Sequence, residues 1–177
     1  MTTRFTWVGG RSSVDFTATL GKRLQTPIER IPAAADLSRW FRDAGLTDQS
    51  VPVSGRTFTQ ALVLREALYR LLAGTPLAED VDVVNRWSAR PLPGPRLTRD
   101  LRAEPITTDA ANLLSVLARD AIDLLTGPLA DRIRTCAADD CSLLFVDESR
   151  AGRRRWCSMN LCGARAKMAQ YRASRVD

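Results

Sequence analysis

CAADDCSLLFVDESRAGRRRWCSMNLC, residues 136–162, contains all four cysteines of the 177-residue chain. Cys136 and Cys141 enclose four residues, Cys157 and Cys162 enclose four more, and fifteen lie between the pairs. Two close pairs separated by a hairpin-sized insert meet the needs of a tetrahedral four-thiolate site, because each pair brings two sulfurs to one side of an ion. Within the insert SLLFVD reads as a strand, DESRAG as a turn and RRRWC as a returning strand. From Asn160, a candidate N-cap, the period turns helical, and Leu161, Ala164, Met168 and Tyr171 fall on one face. Knuckle, hairpin and helix in that order predict a treble-clef-like finger. Cys162 then sits in the first helical turn, where the backbone dipole favours a thiolate.

Other uses of four clustered thiols weigh less. The opening MTTRFTWVGGRSSVDF has no continuous apolar segment, and no stretch approaches the roughly 18 apolar residues of a membrane span. The expectation is a cytoplasmic protein, and in that compartment thiols stay reduced, which disfavours two disulfides. Iron–sulfur clusters use the same donors, so ligand type alone does not separate iron from zinc. Release of the metal on oxidation would be a secondary role. With zinc the role is structural, one ion per chain, because four thiolates leave no position for a water nucleophile. Such binding is worth roughly 10–16 kcal/mol, enough to fold a segment with few large apolar residues.

Here a resemblance enters. The C-x4-C pair followed by LFVDESRAGRRRWCSMNLCGAR closely resembles the CGNR-type zinc finger at the C-terminus of bacterial stress-induced transcription regulators. FTWVGGRSSVDF and DLSRWFRDAGL are similar to the opening of the mostly helical ABATE domain that precedes it in those proteins. The resemblance spans nearly the whole chain. It implies that Cys136, Cys141, Cys157 and Cys162 are zinc ligands and that the protein binds DNA in transcriptional control. The name-giving tetrapeptide is Cys162-Gly163-Ala164-Arg165 here, so the asparagine amide and any contact it makes are missing while the thiolates remain.

Charge supports a polyanionic partner. The formal net charge is +6, of which +4 falls on residues 131–177. Between Arg150 and Arg175 there are eight basic residues and no acidic one. Arg165 and Arg172 lie two helical turns apart on one flank, Lys167 on the other, and Arg153, Arg154 and Arg155 approach from the returning strand, Arg154 on the opposite face from its neighbours. These six are the candidate nucleic-acid contacts, with arginine suited to bidentate pairing with guanine or phosphate. The competing roles are solubility and pairing with Asp139, Asp140, Asp147 and Glu148. Trp156 is expected to pack beside the metal site.

The fold class expected is mainly α with short β strands (α+β): a helical regulatory domain over 1–130 and the finger over 131–177. RFTWV and VDFTATL suggest an N-terminal hairpin about Gly9-Gly10. Asp36 is a candidate cap for a helix through LSRWFRDAG. Ser54 to Ala73 is a strong helix on Ala61, Leu64, Leu68 and Leu71, and Thr75-Pro76 opens another to about Ala89. Residues 90–108 are a proline-rich loop with a short strand from Arg96 to Ala103. Asp109 starts a broad-faced helix ended by Gly127-Pro128.

Asp15, with Trp7, Trp40 or Trp87, is a candidate lining for a small-molecule effector pocket; capping of backbone amides by Asp15 and core packing of the tryptophans is the competing role. The chain has no histidine. That removes Ser-His and Cys-His catalysis, and no catalytic constellation is visible. The leading expectation is a DNA-binding regulator, with homodimerisation required for specific binding by so small a finger. Its alternatives are a zinc-stabilised protein-interaction module and an RNA-binding protein.

Overall fold

The longest apolar rhythm of the sequence becomes its longest helix. Ser54 accepts a hydrogen bond from the Thr57 amide and opens α3 (Gly55–Ala73), which closes at Gly74. Its Ala61, Leu64, Leu68 and Leu72 are buried. α5 (Ala110–Thr126) starts at a reciprocal cap in which Asp109 and Asn112 each accept the other's backbone N–H. Leu113, Leu114, Leu117 and Leu124 face the same core. The computed structural model describes residues 4–94, 96–102 and 108–174. Around α3 and α5 pack α1 (Ser12–Thr17), α2 (Ala34–Asp43) and α4 (Asp80–Ser88). Among the described residues no helix is long and apolar enough to cross a membrane.

Four expectations for the helical part need correction. Residues 12–17 form α1 rather than a strand, because the Asp15 carboxylate accepts the Val8 and Gly9 amides at 3.0 and 2.8 Å and so occupies donors a hairpin would have paired. The hairpin here is β1 (Leu20–Gly21) against β2 (Ile28–Glu29), antiparallel. α2 is preceded by Ala33, and Asp36 lies inside its first turn, paired with Arg39 at 3.1 Å. α4 begins at Asp80 rather than at Thr75-Pro76. Asp80 is fully buried and accepts from Leu77 N at 2.8 Å and Arg70 Nε at 2.9 Å, which sets the turn ahead of the helix. In the proline-rich loop Leu97 forms a single β-bridge and residues 99–100 a turn, with Thr98 N donating to Arg102 O at 2.8 Å, short of the strand expected; Ala103 lies outside the described residues.

After α5 a single 3-10 turn (Ala130–Arg132) leads into β3 (Ile133–Thr135), which pairs antiparallel with β4 (Leu144–Val146) in the register Ile133↔Val146 and Thr135↔Leu144. The expected return strand at RRRWC is not formed. β4 takes β3 as its partner, and among the described residues the 153–157 segment reaches the knuckle through one backbone–backbone bond, from Ala137 N to Arg155 O at 2.9 Å. The chain ends in a π turn (Met159–Gly163), closed by Gly163 N donating to Ser158 O at 3.0 Å, and α6 (Ala164–Ala173). A Cβ on Gly163 would lie 3.0 Å from Met159 Sδ and 3.3 Å from Trp156, a tight approach that the Met159 side chain would have to relieve.

β4 joins the two parts. Leu144 and Val146 belong to the helical core, whereas Phe145, on the other face, is buried among the cysteines. Val146 N also donates to Gly9 O at 2.9 Å.

Burial holds the Asp15 carboxyl up at about 6 despite its two amide donors. A carboxyl raised in the folded state favours folding fully below the unfolded value near 4, and that contribution is lost as pH rises through about 6. Asp15→Asn keeps an acceptor for the amides and removes the titration. In urea unfolding at pH 4, 5.5 and 7, the stability of D15N relative to wild type should rise with pH, by on the order of 2 kcal/mol in total.

Candidate metal centre and basic surface

The β3–β4 hairpin brings Cys136 and Cys141 together at its turn, and the π turn brings Cys157 and Cys162 against them. The four Sγ atoms lie within 4.8 Å of one another and all four residues are buried. Cys141 Sγ is 3.8 Å from Cys157 Sγ, which is 3.5 Å from Cys162 Sγ. A tetrahedron with zinc–sulfur distances of about 2.3 Å has edges of about 3.8 Å, so the quartet is sized for such an ion. Two N–H donors support thiolate: Cys157 N on Cys136 Sγ at 3.3 Å and Arg165 Nη2 on Cys162 Sγ at 3.2 Å.

The thiols hold one another far from ordinary behaviour. Cys141 is drawn down to about 5, chiefly by the hydrogen bond from Cys157. Cys157 is pushed up, first by donating that bond and then by burial, and burial pushes Cys162 up as well. Four thiolates so close together would repel one another, and a cation among them would offset that repulsion.

Packing around the sulfurs is supplied by Phe145, fully buried, and by Val8, Leu143 and Trp156. Trp156 therefore sits beside the thiols, as expected. Two further residues, given no part in the metal site by the sequence reading, hold the loop between the cysteine pairs. Asp147 is fully buried and accepts from Ser149 N at 3.0 Å and Arg154 N at 2.8 Å; the Ser149 side chain first, and then these amides, hold its carboxyl below the usual range. Arg154 lies 4.3 Å over the Phe145 ring and donates to Trp156 O at 2.9 Å, to Val8 O at 3.4 Å and to Cys157 O. The turn composition DES, with an aspartate two residues before a serine, was the available signal for Asp147. Alternation along RRRWC set Arg154 apart from its neighbours, but nothing local in the sequence named its carbonyl partners.

The six candidate nucleic-acid residues do not share one environment. Arg153, Arg155, Lys167 and Arg172 are exposed. Arg154 faces inward, on the opposite side from its neighbours but committed to the backbone contacts above. Arg165 is half exposed and pairs with Asp140 as well as Cys162. Arg175 lies outside the described residues. The apolar face expected to anchor the last helix lies on the surface: Leu161, Met168 and Tyr171 are each at least 50% exposed. Phe145, Trp156 and the sulfurs already fill the space beneath it.

The suggested pocket lining also resolves into packing. Trp40 is fully buried, Trp7 stacks on it at 5.8 Å between ring centroids, and Asp15 serves the Val8 and Gly9 amides. Trp87 packs on the edge of the helical core. A cavity of about 750 Å³ lies beside α6, and none of these four residues lines it.

Asp147→Ala would leave the Ser149 and Arg154 amides without their acceptor, at a cost of about 1–3 kcal/mol. The near-UV CD signal of Trp156 should melt earlier in D147A than in wild type, while the exposed D139A control stays unchanged.

Comparison with known families agrees with this geometry. Residues 10–128 match the ABATE family, described as "Putative stress-induced transcription regulator", and residues 132–175 match the CGNR zinc finger. No curated protein matches the chain. The buried thiol quartet occupies the segment matched as a zinc finger, and the helical core occupies the segment matched ahead of it: the chain belongs to the ABATE family and carries a CGNR zinc finger behind that domain.

Proposed function

We propose that the protein is a DNA-binding transcription regulator whose finger, residues 131–177, presents a basic surface to the duplex while residues 1–130 form the regulatory domain. Cys136, Cys141, Cys157 and Cys162 hold one structural zinc ion. The observation that carries the reading is the exposure of Arg153, Arg155, Lys167 and Arg172 around a four-thiol centre with no carboxylate among residues 150–174. Arg153 and Arg155 grip phosphates beside the knuckle; Lys167 and Arg172 do so from α6. Arg154 and Arg165 are positioning residues, one holding the loop and the other bracing Asp140 and Cys162. The protein acts in the cytoplasm, without catalysis, and as a homodimer when binding is specific. A closed four-thiolate site offers no coordination position for a substrate.

A second reading has its own observation. The exposed Leu161, Met168 and Tyr171 give α6 an apolar stripe suited to a protein partner. The two readings separate in a selection of duplexes from a random library by zinc-loaded protein at near-physiological salt. Enrichment of a motif supports the regulator, and failure to retain any duplex puts the protein-interaction reading first.

Two outcomes are expected of the regulator. Elemental analysis should give one zinc per chain, and Cys157→Ser should lose both the metal and the near-UV CD signal of the finger. The log–log salt slope of duplex affinity should be about −3 to −4 per chain, each of four phosphate contacts contributing roughly 0.9. The K167A/R172A double variant should reduce that slope by about 2 with zinc retained.

A further inference from the structure

The cavity of about 750 Å³ opens between the finger and the helical domain: the π turn and α6 form one wall and the β1–β2 hairpin the other. Its apolar surface comes from Leu143, Leu161, Ala164, Met168 and Ala169. Its charged lining comprises Lys22, Arg30, Arg165 and Arg172 against a single carboxylate, Asp140, which is committed to Arg165, while Cys141, Cys157 and Cys162 of the thiol quartet also line it.

Arg30 is the residue the fold has built into this space. Its guanidinium lies against β1 at Gly21, where any Cβ would overlap Nη1, so glycine there makes room for it. Nη1 donates to two carbonyls, Ala18 O at 3.2 Å and Ile28 O at 3.4 Å. The neighbouring Glu29 is engaged elsewhere, with Arg65 Nη1 at 2.8 Å and Ile31 N at 2.9 Å. Arg30 is thus a half-buried cation held by carbonyls, with Nε and Nη2 available to an incoming acid. Loss of water around it lowers its pKa, ahead of the opposing pull of Glu29 and of the Cys141 sulfur. The hairpin that carries it is fixed from behind: Arg23 pairs with Glu66 of α3 and Arg23 N donates to Ser142 Oγ at 3.0 Å.

We propose that this groove binds an amphipathic organic anion, a carboxylate or sulfonate on an apolar body. The acid group seats on Arg30 and Lys22, where a guanidinium fork matches two acid oxygens. The body lies along Leu161 and Met168, and the volume falls within the range of small-molecule sites. Because one wall belongs to the helical domain and the other to the finger, the occupant bridges them. Its consequence for DNA binding rests on the function proposed above; its binding does not.

The test uses the zinc-loaded full chain and 1-anilinonaphthalene-8-sulfonate as probe, followed by calorimetry and fluorescence. The expected result is one probe per chain, displaced competitively by decanoate. The uncharged N-phenyl-1-naphthylamine should bind at least tenfold more weakly. Arg30→Gln should weaken the probe tenfold or more, and Ala169→Trp, on the exposed wall of α6, should block it with zinc content and far-UV CD unchanged. Equal binding of the uncharged probe, or unaltered binding to a folded A169W, would overturn the proposal. So would displacement by a duplex oligonucleotide but not by decanoate, which would give the groove to nucleic-acid backbone. Loss of duplex binding in the library selection, with probe binding intact, would count against the regulator alone.

Discussion

The three residues of β4 hold the protein together. A strand places successive side chains on opposite faces, and here both faces are buried: Leu144 and Val146 enter the core of α3 and α5, and Phe145 enters the thiol cluster. Neither cluster is complete without the strand. A one-residue slip would exchange the two sets of side chains and put aliphatic groups among the sulfurs, so the β3–β4 register couples the finger to the helical domain. The hydrogen bonds from Val146 N to Gly9 O and from Arg154 to Val8 O add a polar seam to this packing.

That coupling gives the basic surface its frame. Arg153 and Arg155 project from a loop tied at one end by Asp147 and at the knuckle by the Ala137–Arg155 bond. α6 starts from the π turn that carries Cys162, just after Cys157, so the geometry of the thiol quartet and the direction of the helix are set together. Zinc, when bound, supplies a fourfold crosslink; the chain's own residues supply the orientation of the cations around it.

The buried charges follow the same logic. Arg65 is nearly enclosed and is answered by Glu29 and Glu66, and Asp80 by Arg70. Each ties a turn or hairpin to α3. A buried ion pair adds little net stability over an apolar contact, but its loss leaves an uncompensated charge, so these pairs act as locators. The β1–β2 hairpin, too short to be stable alone, takes its place from them and thereby sets one wall of the groove.

The sequence by itself determined the class of the fold, the cysteine quartet and the two central helices. Those signals are local or strictly periodic: the C-x4-C pairs, the Ser54 and Asp109 caps, the Leu rhythm of α3 and α5. What only the tertiary structure decided depends on partners far along the chain. Asp15 turned an apparent strand into α1 by taking amides six and seven residues away. β4 paired with β3 rather than with RRRWC because the helical core needed Leu144 and Val146 on one side. Arg154 was diverted inward to carbonyls, and Leu161, Met168 and Tyr171 were left outside because Phe145 and Trp156 had filled the finger. A helical or alternating pattern states that a face is apolar; which surface covers it is settled by volume and by the hydrogen bonds of distant backbone, and neither is written within one segment.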